Sequence, residues 1–313
     1  MKLIRGINNL PSVFATQGCA LTIGNFDGVH LGHQEVLAHL KKEAKARHLP
    51  SVVMVFESQP SEYFLGDKAP ARLMRLRDKI AAFKEVGVDY VFCVKFNCEF
   101  SKLTAKDFIQ KYLVEKLNVK FLSVGDDFRF GLKRQGDFHL LQQAGFKYGF
   151  EVENNPTFVA GNQRISSTAI RQALAQDELA LSRRLLGKPY SIEGRVSHGN
   201  KLGRTIGFPT ANIFLHRQVN PVRGVYAVKV HLQNSDVFYG VANIGTRPTI
   251  NSVLQVLEVH LFNFQGNLYG KRLRVEFCLK IRNEQKFPNF EALQAQIKLD
   301  AKVAQEFFHI TSC

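Results

Sequence analysis

Near residue 186 the hydrophobic pattern of this 313-residue chain changes its period, and no other feature constrains the fold as tightly. Upstream, short apolar runs alternate with helical patterns: ALTIG precedes residues 34–47, SVVMVF precedes 73–86, DYVFCVKF precedes 105–117, and KFLSVG precedes 140–147. Strand and helix in alternation predict a parallel, doubly wound sheet. In the third helix Ala105, Phe108, Ile109, Tyr112 and Leu113 recur at helical spacing and mark the face laid on that sheet. Residues 167–187 read as two short helices ended by Gly187-Lys188-Pro189. Downstream, YSIEGRV, VYAVKVHL, VFYGVANI, LQVLEVHLF and LRVEFCL alternate at period two, the pattern of an antiparallel barrel or sandwich, and an amphipathic helix runs from 290 to about 308. The boundary is expected at 185–189, giving domains 1–186 and 187–313.

Composition removes several function classes. Hydrophobic residues make up 45% of the chain, enough for a real core, so disorder is excluded. Five cysteines, with no CxxC pair, suggest neither a disulfide framework nor a zinc knuckle and fit a reducing, cytoplasmic setting. Asn8, Asn9, Pro11 and Ser12 interrupt the N-terminus before a secretory apolar segment forms, and no run approaches a membrane span, so no membrane partner is expected. The net charge of +15 is spread out: 26 Lys+Arg face 19 Asp+Glu up to residue 186, and 16 face 8 beyond it. An even excess without a basic arm suits small polyanionic substrates, and no nucleic-acid partner is expected. The non-enzyme rival is a basic nucleic-acid-binding protein with an OB-like barrel, which calls for aromatics interleaved with Lys and Arg on the barrel face. The glycines and prolines here sit instead in loops of phosphate-binding type.

The first such loop is GNFDGVHLGHQ, Gly24 to Gln34, directly behind the apolar run CALTI. In an open α/β sheet ligands bind beyond the carboxyl ends of the strands, which is where this stretch lies. Its glycines let backbone N–H groups approach a polyphosphate, and the next helix offers its positive N-terminus. His30 and His33, three apart, face one point on an incipient helical turn. A zinc site lacks a convincing third ligand, no GxG occurs for a nicotinamide cofactor, and GNKLGRT only approaches a P-loop. The second element is RISSTAIR, Arg164 to Arg171, whose Ser and Thr cap a helix while its arginines form a fork for a triphosphate or a leaving pyrophosphate.

HxGH followed at long range by ISSTxIR resembles the prokaryotic bifunctional riboflavin kinase/FMN adenylyltransferases, also called FAD synthetases, and the likeness covers essentially the whole chain. GNFDGVHLGH, GDDFRFG and ISSTAIR stand in the family's order, followed by HGNKLGRTIGFPTANI, RGVYAV, NIGTRPT, LEVHLFNF and LYGKRLRVEF. The resemblance implies an α/β plus β architecture: an N-terminal Rossmann-like nucleotidyltransferase domain with a parallel sheet, then a six-stranded antiparallel β-barrel with a terminal helix. It implies phosphorylation of riboflavin by ATP to FMN in the second domain, then adenylyl transfer from ATP to FMN in the first, giving FAD and pyrophosphate. Magnesium is the implied cofactor, with ATP as co-substrate and riboflavin and FMN as partners.

Residue by residue, the resemblance gives His30 and His33 as donors to the α-phosphate, and Gly24, Asn25, Asp27, Ser167, Thr168 and Arg171 as ATP-binding. It lays Asp127 and Phe128 against the flavin. In the second domain Gly203, Gly207, Pro209, Thr210 and Asn212 belong to ATP, Thr210 and Asn212 also to magnesium, and Arg247 to the flavin. Glu258 is the implied general base for the ribityl 5′-hydroxyl. Two departures touch the flavin side: Asn263 where the family often has Asp, and ESQP for EPHP near Glu57.

Overall fold

The computed structural model describes residues 1–125, 127–155, 158–160, 163–199, 207–215, 217, 219–232, 236–248 and 253–310. Gly203 falls outside this set, as does the side chain of Arg247. The chain divides into two compact units, Met1–Pro70 with Met74–Ser167, and Ala71–Leu73 with Thr168–Cys313.

The first unit is built on a sheet of β1 (Lys2–Arg5), β2 (Cys19–Ile23), β3 (Ser51–Phe56), β4 (Tyr90–Val94), β5 (Val119–Gly125) and β6 (Glu151–Asn155). The order is β1-β4-β3-β2-β5-β6, and every pairing is parallel. All five residues of β2 are buried, as a strand covered on both faces requires. Alternation sends Leu21 with Met54, Phe92 and Leu122 into one core, closed by Phe108, Ile109 and Leu113. It sends Ala20 with Val53, Val91 and Phe121 into the other, closed by Leu37, Leu40 and Phe83. Strand order reverses at β2, where β3 leads one way and β5 the other, so a crevice opens at the carboxyl ends of β2 and β5. The short strands β7 (Val159–Ala160) and β8 (Gln163–Arg164) pair antiparallel.

In the second unit β9 (Ser191–Ser197), β10 (Ala211–Phe214), β11 (Gly224–Leu232), β12 (Val237–Pro248), β13 (Val253–Leu261) and β14 (Arg272–Arg282) form a closed antiparallel barrel, ordered β10-β13-β12-β11-β14-β9. Ile213, Val228, Ala242, Leu257 and Val275 are fully buried and fill its interior. The helix Phe290–Phe307 covers part of the outside, packing Ala301 and Ala304 against Ala227 and Phe262. An ion pair between half-buried Arg282 and buried Asp300 holds it there: Arg282 Nε lies 2.9 Å from Asp300 Oδ1, and its Nη2 lies 2.8 Å from Oδ2. Residues 168–186 group with the barrel by packing, whereas the hydrophobic period changes at 185–189. Among the described residues no helix is long and apolar enough to cross a membrane.

Two candidate active sites

Behind β2 the chain makes a turn that only strong local constraint sustains. Phe26 (φ 46°), Gly28 (φ 89°) and Val29 (φ 41°) all occupy the left-handed region, and for a β-branched residue such as Val29 this is a true outlier. Strain of this kind persists only where the surroundings over-determine it. Here Asp27 Oδ1 accepts from Met74 N at 3.1 Å, Ser167 Oγ donates to Asp27 O at 2.8 Å, and Gln34 Nε2 donates to Val29 O at 3.0 Å. The ammonium of buried Lys79 donates to Asn25 O.

His30 then caps the helix Leu31–Ala46, its Nδ1 accepting from His33 N at 3.2 Å. An accepting Nδ1 carries no proton, so the neutral ring bears its proton on Nε2 and is a donor there. The two imidazoles stack with centroids 3.5 Å apart and planes 17° from parallel. Both border a cavity of about 260 Å³ in the crevice, together with Gly24, Asn25, Asp127 and Ser167.

The turn thus brings together most of the residues singled out from the sequence. Asp27 is 1% exposed and spends a carboxylate oxygen on the backbone of Met74 rather than bordering the cavity. Phe128 also stands off, stacked on Phe130. Thr168 is exposed, and Arg171 belongs to the second unit, where its Nε donates to Ala71 O at 2.6 Å. The arginine that does line the cavity is Arg164, whose Nη2 lies 3.4 Å from Asp127 Oδ2. Asn155 lines it as well, from the carboxyl end of β6, and its Oδ1 accepts from Ser123 Oγ at 2.6 Å. Its sequence signal is only its place at the end of a short polar strand.

On the barrel, register decides the second site. Glu258 on β13 stands opposite Asn212 on β10 and Asn243 on β12, so the three side chains share one face. That face is the outer one, because Val241, partner of His260 two residues along, packs against the terminal-helix cluster while Leu257 and Val259 fill the interior. Asn212 is buried, its Nδ2 donates to Thr210 O at 3.2 Å, and its Oδ1 has no hydrogen-bond partner among the described residues. Gly199 makes room for this amide: a Cβ there would lie 2.5 Å from Asn212 Nδ2 and 2.8 Å from Oδ1. Pro209 and Thr210 border a second cavity, about 400 Å³, with Phe264 and Tyr269, and the His198 ring stacks on Tyr269 at 3.9 Å. Gly207 has a left-handed φ of 79° in the same loop. Glu284, not among the residues singled out from the sequence, reaches the same face: its Oε1 lies only 2.0 Å from where a Cβ on Gly245 would be, on the strand that carries Asn243. IRNEQKF carries no periodic or motif signal that distinguishes it from a charged loop.

Comparison with known proteins decides the family. The FAD synthetase family model matches residues 14–169 and the riboflavin kinase model matches 186–308. A bifunctional riboflavin kinase/FMN adenylyltransferase from Haemophilus influenzae is 61% identical over 309 residues, 99% of this chain and 100% of that one. The chain belongs to the bifunctional riboflavin kinase/FMN adenylyltransferase family.

Its enzymatic activities are those two. A second bifunctional riboflavin kinase/FMN adenylyltransferase, from Escherichia coli K12, is 58% identical over 311 residues, 99% of each chain. A crystal structure from Streptococcus pneumoniae, described as a macrolide-efflux protein, shares the fold with a TM-score of 0.78 and 30% identity, covering 97% of this chain and 99% of that one. The two family models follow one another along the chain, FAD synthetase first and riboflavin kinase second.

Proposed function

We propose that the two reactions run at separate sites, adenylyl transfer within residues 1–186 and riboflavin phosphorylation within 187–313. The observation that carries the first assignment is the pair His30 and His33, stacked at a helix N-terminus and bordering the switch-point cavity. An oxygen of the FMN phosphate attacks the α-phosphorus of ATP, a new P–O bond forms, and the bond to the β-phosphate breaks to release pyrophosphate. Charge builds on the α-phosphate oxygens in that transition state, and the imidazole donors with the helix N-terminus stabilise it most there. Ser167 and Arg164 border the same cavity and suit the outer phosphates. Asp127, at its rim, suits the flavin side.

In the barrel, the 5′-hydroxyl of riboflavin attacks the γ-phosphorus, Glu258 takes the hydroxyl proton, and ADP leaves. Burial of Asn212 with an unclaimed Oδ1 beside Thr210 is what a hard cation prefers in a protein oxygen donor, and these two residues would hold magnesium. A cation held by these two residues would supply charge neutralisation at the phosphate oxygens of ATP. The cavity bordered by Thr210 and Tyr269 suits the nucleotide base, its apolar walls and aromatic ring offering a stacking surface. Free thiols on Cys19, Cys93, Cys98 and Cys278 fit a reducing, cytoplasmic setting.

The test is a single incubation of the pure protein with riboflavin, ATP and magnesium, followed by chromatography of the flavins. FMN followed by FAD is expected from the wild type, FMN alone from His30→Ala, and FAD only from supplied FMN with Glu258→Gln. A variant pair that loses both reactions together would overturn the separation of sites.

A further inference from the structure

His260 lies two residues beyond Glu258 on β13, and its Nδ1 is 3.0 Å from the carbonyl oxygen of Pro209. A carbonyl oxygen only accepts, so Nδ1 must carry the proton and the tautomer is fixed by this contact. The ring is held from two sides, edge-on to Phe208 at 5.0 Å and to Phe262 at 5.9 Å. The very next carbonyl along the chain, that of Thr210, accepts from Asn212 Nδ2. Two successive carbonyls, those of Pro209 and Thr210, are therefore each tied by a side chain from one of two paired strands, β13 and β10.

We infer that His260 is a positioning residue of the kinase site, acting on the Pro209–Thr210 segment so that the oxygens of Thr210 and Asn212 stay together where the triphosphate and its cation bind. It touches no reacting atom. Without its Nδ1–H, the Pro209 carbonyl loses a held position on one side of Thr210, while Asn212 still grips the other, and the segment pivots. Burial pushes this imidazole below its ordinary pKa, which keeps the ring neutral and places no positive charge beside a cation site. The inference rests on the reading of Thr210 and Asn212 as the ATP and magnesium site.

The rival account of His260 is plain packing between two phenylalanines, and two substitutions in the full-length protein separate them. His260→Phe keeps an aromatic ring between Phe208 and Phe262 but has no donor. His260→Asn gives up the ring but carries an amide N–H close to the position of Nδ1. Loss of one hydrogen bond that orients a loop is expected to raise KM for ATP, and the magnesium concentration for half-maximal FMN formation, by roughly three- to tenfold in His260→Phe. KM for riboflavin and FAD formation from supplied FMN stay unchanged, and His260→Asn recovers most of the loss. Wild-type ATP and magnesium dependence in His260→Phe overturns the inference, as does a failure of His260→Asn to recover when its thermal midpoint matches that of His260→Phe. Asn212→Ala is measured alongside. If it too leaves ATP and magnesium dependence untouched, the reading of the site fails and the inference with it. An affected Asn212→Ala beside an unaffected His260→Phe sinks the inference alone.

Discussion

Asp177 accepts from Tyr226 Oη at 2.7 Å and from Lys280 Nζ at 2.9 Å, joining the turn between two helices to the barrel. Lys280 also donates to Arg223 O at 2.6 Å, so the same ammonium steadies the entry to β11. Asp177 itself has a left-handed φ of 59°. Burial, with the Asp177 carboxylate second, pushes the Tyr226 phenol far above its ordinary range and keeps it a donor. A fragment beginning at residue 187 lacks this carboxylate and leaves Tyr226 and Lys280 short of a partner. It is expected to be less stable than a fragment beginning at 168 by about 1–3 kcal/mol, read from urea midpoints. Equal midpoints would show that the helices are dispensable to the barrel.

Replacing His30 or His33 by Ala is expected to slow FAD formation by about 10²-fold or more, the scale of removing one transition-state donor. Riboflavin phosphorylation should stay within experimental error, measured as FMN with magnesium and ATP in excess. A loss shared equally by both reactions, with the fold intact by circular dichroism, contradicts the assignment.

Glu258→Gln retains shape and hydrogen bonding but takes no proton. Its expected phenotype is riboflavin binding preserved by fluorescence titration, FMN formation reduced by ~10²–10⁴-fold, and FAD formation from supplied FMN unaffected. Normal riboflavin turnover by this variant would shift attention to Glu284, the other carboxylate near the Asn243 end of the site.

Gly199→Ala places a methyl group within 2.8 Å of three atoms of the Asn212 amide. The amide must turn or shift, so the variant should need several-fold more magnesium for half-maximal kinase rate while FAD formation holds. An unchanged magnesium curve would mean that Asn212 tolerates displacement and is not a cation ligand.

The sheet and the barrel were legible because their buried faces impose period: CALTI and SVVMVF are continuous, and LQVLEVHLF alternates. Both edge strands were not. KLIR is only four residues long with a charge at each end, and EVENN is polar, so at the edges of the sheet neither carries enough apolar pattern to stand out from loops. Residues 105–117 were expected as one α-helix, but beyond Asp107 the turns widen and Leu117 N bonds Tyr112 O five residues back. Over nine residues, Phe108, Ile109 and Leu113 satisfy either winding. At the candidate sites the sequence marks residue types that suit phosphate, yet Asp27 and Arg164 show its reach. One carboxylate faces inward to pin a backbone, and one arginine reaches the cavity, by details of φ and burial that spacing does not encode.

Barrel closure has a consequence for synthesis. β9 pairs with β10 on one side and with β14 on the other, so Ser191–Ser197 cannot complete its ladder until Arg272–Glu276 has been made. At ribosomal elongation rates the interval is roughly 4–15 s. For that time the first barrel strand has an open edge, a template for mispairing with another nascent chain, at a stage when the sheet-bearing half already has all its strands.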